Sequence, residues 1–127
     1  MKYIKTVKPF YIDERGEMSH LLPGTVKIAS AIVIKCKRGT IRANHYHKHD
    51  THFSYMLKGS MEYVHKDLKK KNSRKQSFTV REGQIVMTPP MFGHAMKFLE
   101  DSVFLALTTE PRSRSEYETD TVRMELL

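Results

Sequence analysis

The chain has 127 residues, with 22 Lys and Arg against 14 Asp and Glu, a formal charge of +8 and a single cysteine. That length suits one domain with a real core, and no run approaches the roughly 18 apolar residues of a membrane span. The opening MKYIKTVKPFYIDERG is mixed and charged, without the apolar stretch of a signal peptide, and Cys36 alone cannot form an internal disulfide, so the expectation is one cytoplasmic domain, residues 1–127.

Taken in order, residues 3–12 read as a short strand and Asp13-Glu14-Arg15-Gly16 as a turn. Leu22-Pro23-Gly24 makes a second turn. From Val26 to Cys36 the residues alternate, with Ile32, Ile34 and Cys36 on one face and Lys27 and Lys35 on the other, the pattern of a half-buried strand. Strand candidates then follow at Thr40–His47, Thr51–Leu57, Met61–Lys66, Ser77–Val80, Gln84–Thr88, Ala95–Leu99 and Val103–Thr109. Gly59, the Lys69–Arg74 loop, Gly83, Pro89-Pro90 and Asp101-Ser102 separate them. The segment EPRSRSEYETD reads as an irregular polar loop, and Thr121–Leu126 alternates like a strand again. Short strands with glycine and proline turns and no sustained helical period predict an all-β sandwich or barrel.

The positive charge is concentrated in HKDLKKKNSRK, which contains Lys66, Lys69, Lys70, Lys71, Arg74 and Lys75 and reads as a solvated hairpin tip. A basic balance favours anionic partners such as a nucleotide diphosphate. The lysine run lacks the interleaved aromatics of a single-strand nucleic-acid platform, which argues against nucleic acid.

Histidines carry the chemistry. His45, His47 and His52 lie within eight residues, and His94 sits in GQIVMTPPMFGHAMKF. Alternate side chains of a strand share a face, so His45 and His47 point the same way, and His52 can return to the same space from the next strand. Four imidazoles suit one divalent ion, with zinc, iron, manganese, nickel and copper all open; a hydrogen-bonded, metal-free cluster is the plainer alternative. If His52 and His94 face inward, so do Met56 and Met96, and Tyr63 and His65 should join them. That makes a mostly apolar pocket with few polar groups. The other face of the 51–57 strand carries Phe53, Tyr55 and Leu57, too apolar for water, and predicts a covering partner, with a homodimer favoured. His49 falls in a turn and His20 precedes a loop, so both read as solvent-facing or structural.

The series Gly39, His45, His47, His52, Gly59 resembles the first motif of the cupin superfamily, with His52 standing where glutamate is usual. Gly83, Pro89, Gly93 and His94 resemble the second. The resemblance implies a double-stranded β-helix, or jelly roll, with the four histidines as metal ligands. The run Asp13-Glu14-Arg15-Gly16, with Gly39-Thr40-Ile41-Arg42-Ala43-Asn44-His45, further resembles the dTDP-4-dehydrorhamnose 3,5-epimerases and the dTDP-sugar 3,4-ketoisomerases. In this chain Ala43 takes the usual glycine's place. That likeness implies His45 as catalytic base and Arg42 as a holder of a nucleotide-linked sugar. Proton transfer beside a carbonyl then suits His47 as the partner of His45 and Tyr63 as an acid, with Arg15 beside Arg42 on a basic pocket rim and His65, Met56 and Met96, by their faces, as further substrate contacts. A metal-dependent oxidoreductase and a non-catalytic ligand-binding cupin are the other readings, and metal identity and turnover sort the three.

Overall fold

The computed structural model describes residues 3–127. Two five-stranded antiparallel sheets face each other. The first is formed by β1 (Ile4–Thr6), β9 (Gln84–Thr88), β6 (His52–Lys58), β11 (Ser102–Thr108) and β4 (Ser30–Cys36), adjacent in that order. The second is formed, also in order, by β12 (Thr121–Arg123), β5 (Ile41–His47), β10 (Phe92–Phe98), β7 (Ser60–Asp67) and β8 (Gln76–Arg81). Consecutive strands cross repeatedly between the sheets, the arrangement of a cupin jelly roll. A separate hairpin, β2 (Tyr11–Asp13) with β3 (Gly16–Met18), turns where the Asp-Glu-Arg-Gly sequence predicts it.

Between the sheets lies a core of Met56, Met61, Tyr63, Val80, Val86, Met96, Phe98 and Phe104, all buried. Alternation explains it: Met61, Tyr63 and His65 point inward from β7, and Ile32, Ile34 and Cys36 from β4, their outward neighbours being mostly polar or exposed. Gly59 joins β6 to β7 at φ 88°, where a Cβ would collide with Ser102 Oγ and lie 2.8 Å from Asp101 O. Only glycine fits that turn.

The strand expected over 3–12 is broken in two, consistent with Pro9 in its middle. The predicted strand from Val26 starts only at Ser30. A larger difference concerns the expected irregular loop after Pro111: Arg114–Asp120 forms α1, a short helix, and β12 follows at once. The tail then crosses the outer face of the second sheet. Gly93 makes room for it, since a Cβ there would sit 2.6 Å from the sulfur of Met124 and 3.3 Å from Leu126 Cδ1. Among the described residues no helix is long and apolar enough to cross a membrane.

Candidate functional site

The site is built by β5, β6 and β10. Antiparallel register places His45 directly opposite His94, and His94 opposite His65, in one row across the second sheet. Just before His45, Ala43 and Asn44 adopt left-handed conformations (φ 70° and 53°), and the pairing with β10 slips by one residue. This bulge lets Asn44 leave the ladder. Its Oδ1 accepts from Leu126 N (2.9 Å) and Leu127 N (3.1 Å), and its backbone oxygen from Met124 N (2.9 Å), tying the tail to the site.

His45, His47, His52 and His94 are all buried and lie ring to ring. Centroids are 4.6 Å apart for His45 and His47, 4.8 Å for His45 and His94, and 4.1 Å for His47 and His52. Their donor atoms divide into two overlapping sets rather than one set of four. His45, His47 and His94 form a group that could hold a metal ion, and His47, Asp50 and His52 form another, the ligand atoms of each group lying within 4.8 Å of one another.

Hydrogen bonds decide the tautomers. His94 Nδ1 donates to the carbonyl of Phe92 (3.1 Å), which leaves the lone pair on Nε2. His52 Nε2 donates to Asp50 Oδ2 at 2.8 Å. His47 Nδ1 lies 3.1 Å from Thr121 Oγ1 of β12. Asp50, buried, is fully engaged: Oδ1 accepts from Thr109 N (3.0 Å), Thr109 Oγ1 (3.2 Å) and Glu110 N (3.1 Å). Its four partners fit an orienting carboxylate better than a metal ligand. Asp120, closing α1, fixes the same turn from outside through His49 N, His49 Nδ1 (both 2.9 Å) and Asp50 N (3.2 Å).

Burial sets the charge state. Desolvation first, then the neighbouring His52 and the cations Arg123 and Arg112, push His45 down to about 4. Desolvation and the surrounding histidines drive His47 lower still and hold His94 well below the ordinary imidazole value. These three are neutral imidazoles at neutral pH, the form that ligates a metal or accepts a proton. Burial opposes the charge of Asp50, but the His52 contact and the bonds from Glu110 and Thr109 together hold its carboxyl below the ordinary range.

A cavity of about 90 Å³ opens onto this cluster. His45, His94, Met96 and Arg42 line it from the second sheet, His52 and Ser54 from the first, and Arg112 from the loop after β11. Arg42 and Met96 thus stand where the sequence expects them. Other expected residues are placed elsewhere. Tyr63 is a core residue whose hydroxyl shares a 2.6 Å hydrogen bond with Thr88, and burial pushes its ionisation up, so it is not among the described residues lining the cavity. Met56 packs in the same core.

His65 lies deeper, ringed by Tyr3, Tyr63, Phe78 and Phe92, with Nε2 donating to Gln76 Oε1 at 3.1 Å. Arg15 is held by Asp13 in the exposed β2–β3 hairpin and lines a different surface recess. His47 backs the cavity wall through its contacts with His45 and His52. Sequence reasoning missed Asp50, whose signal was its place between two candidate ligands, and Arg112, which no motif marks.

The sequence profile of the polysaccharide biosynthesis C-terminal domain matches residues 11–122. The chain belongs to that family. No curated protein matches it. Among solved structures, members of two enzyme groups share its fold. A dTDP-6-deoxy-D-glucose-3,5-epimerase from Legionella pneumophila, solved with dTDP-4-keto-L-rhamnose, superposes with a TM-score of 0.77 at 16% identity over 98% of this chain and 72% of its own. A dTDP-4-dehydrorhamnose 3,5-epimerase from Sulfolobus tokodaii gives 0.70 at 19% identity over 84% and 69%. A sugar 3,4-ketoisomerase from Thermoanaerobacterium thermosaccharolyticum, in complex with TDP, gives 0.74 at 19% identity over 94% and 85%. At these identities the likeness is one of fold, the jelly roll described above.

Proposed function

We propose that this chain moves a proton beside the carbonyl of a nucleotide-linked keto-sugar, as an epimerase or ketoisomerase. The observation that carries the reading is one cavity combining imidazoles from both sheets with two arginines. Shifting a carbonyl, or inverting the centre next to it, needs a base for an acidified C–H, donors for the enediolate that forms, and a route for the proton's return. Solved structures that share the fold include two dTDP-sugar 3,5-epimerases and a sugar 3,4-ketoisomerase in complex with TDP, which supports chemistry of this kind.

In this reading His45 takes the proton. It is neutral at pH 7, and its low proton affinity rises as negative charge develops on the adjacent sugar oxygen. His52 faces the same cavity from the opposite sheet, oriented by Asp50, and can exchange a proton on the other side of the sugar carbon. Ser54, with a hydroxyl to donate, is at hand for the carbonyl oxygen, and Arg42 for the phosphates.

The donor set also fits a divalent ion. His45, His47 and His94 would hold it, their lone pairs kept open by burial and, for His94, by the Phe92 carbonyl; His45 would then give up the lone pair it needs as a base, so the two roles are alternatives. When bound, such an ion supplies Lewis-acid polarisation of an oxygen.

A second copy of the chain belongs to this reading. Register aligns Val33, Leu105, Tyr55 and Ile85 in one row across the outer face of the first sheet, and Ala31, Leu107, Phe53 and Met87 in the next. Val33 is 58% exposed and Leu57 46%, while Phe53 and Ile85 are already buried within the chain. An apolar plate of this extent supports a homodimer.

Product analysis tests the function. With dTDP-4-keto-6-deoxyglucose as substrate, the wild type should form a stereoisomer or a 3-keto isomer, and His45→Asn should lose that conversion by about 100-fold or more. Failure to convert any dTDP- or UDP-linked keto-hexose would reject the reading.

A further inference from the structure

Arg112 follows Glu110-Pro111 in the loop between β11 and α1, well away from the motif histidines in sequence, yet its half-buried side chain lines the same cavity as His45 and His94. Its position is built rather than incidental. The residues just before it are pinned to buried Asp50, which accepts from Thr109 N, Thr109 Oγ1 and Glu110 N. Pro111 then restricts the backbone leading to it. Arg112 also contributes to the depressed proton affinity of His45 and His47, so its charge is felt inside the site.

Arg42 reaches the cavity from the other side, on β5. It is exposed at the mouth, and its Nε donates to Cys36 Sγ at 3.2 Å, which anchors the guanidinium. The two arginines therefore come from different elements: Cys36 anchors the side chain of Arg42, and Asp50 anchors the backbone just before Arg112. Among the described residues lining the cavity there is no Asp or Glu. Two guanidinium groups beside a recess without acidic lining offer planar forks of donors suited to phosphate oxygens.

We propose that Arg112 is the second arm of an anion clamp, with Arg42 as the first, and that the two grip the diphosphate of the ligand at the cavity mouth. The clamp rests on the nucleotide-sugar reading above and adds to it a residue that sets specificity for a phosphorylated over a neutral ligand. Asp50 then serves both halves of the site, orienting His52 with one oxygen and anchoring the Arg112 loop with the other.

Calorimetric titration with dTDP, at low and high salt, tests this in the full chain. Arg112→Ala and Arg42→Ala should each weaken dTDP binding roughly ten- to a hundredfold, the worth of a charge-assisted hydrogen bond. Arg112→Lys should recover part of the loss. Each alanine variant should also flatten the salt dependence of the dissociation constant. The double variant should lose less than the product of the single losses, because both arms hold one anion. Arg112→Gln, close in volume, serves as the companion variant should Arg112→Ala fail to fold.

If Arg42→Ala weakens dTDP binding while Arg112→Ala and Arg112→Gln leave it unchanged, the clamp is wrong and the nucleotide-sugar reading stands. If the wild type does not bind dTDP at all, that reading fails and the clamp with it.

Discussion

Acid should unfold this protein from the histidine cluster outward. His45 is buried and its folded proton affinity is lowered from 6.5 to about 4. Between those two pH values the unfolded chain binds a proton that the folded chain refuses, so stability must fall as the pH drops through the window. Each tenfold loss of proton affinity is worth about 1.4 kcal/mol. His45 alone therefore removes roughly 3 kcal/mol across this window, a large part of the roughly 5–15 kcal/mol that holds a domain together. His47 and His94 are lowered in the same direction and steepen the loss. Asp50, held below the ordinary carboxylate range, also loses stabilisation on acidification, but in a lower window, below its unfolded value of 3.8.

The assay is urea unfolding of metal-free protein at half-unit steps from about pH 7.5 to 4. Stability should be flat above about pH 7 and fall steeply below about 6.5. His45→Asn should remove nearly one proton from the slope in that range. A stability that stays level or rises on acidification across that range, or a variant with an unchanged slope, would refute the reasoning.

Three further outcomes follow from particular contacts. Tyr63→Phe deletes the bond to Thr88 in the core and should cost about 1–3 kcal/mol by chemical unfolding, while the rate constant for sugar conversion stays within about twofold of wild type; a hundredfold fall in rate at retained stability would make Tyr63 an acid after all. Ala43→Gly relieves a left-handed alanine at φ 70° and should raise stability by about 1 kcal/mol. Val33→Glu places a charge on the apolar plate and should convert a dimer to a monomer in sedimentation velocity, whereas a monomeric wild type would contradict the proposed pairing.

The fold could be read from the sequence because alternation and turn residues are local signals. The turns at Asp13–Gly16 and Gly59, and the inward faces of β4 and β7, follow from the pattern of side chains alone. The convergence of His45, His47 and His52 follows from the same periodicity, and that of His94 from its place in a motif that resembles the second cupin motif. Partners set by tertiary structure were not visible in that way. Tyr63 shares the inward face with His65, but alternation gives a face and not a depth, and Thr88 sits where Tyr63 ends. Asp50 shows its role only once β6 and β11 bring Thr109 and Glu110 beside it. The polar stretch after Pro111 has no apolar face of its own. It is ordered by Asp120 capping the 48–50 turn and by Asn44 holding the tail, contacts separated by about seventy residues or more in sequence.

The most direct test of the account is hydrogen exchange during turnover. The protein is incubated with dTDP-4-keto-6-deoxyglucose in D₂O and the sugar followed by proton NMR. The account predicts deuterium entering at a carbon adjacent to the carbonyl, at a rate that collapses in His45→Asn. A wild-type protein that binds the sugar nucleotide yet leaves every such carbon protonated would contradict it.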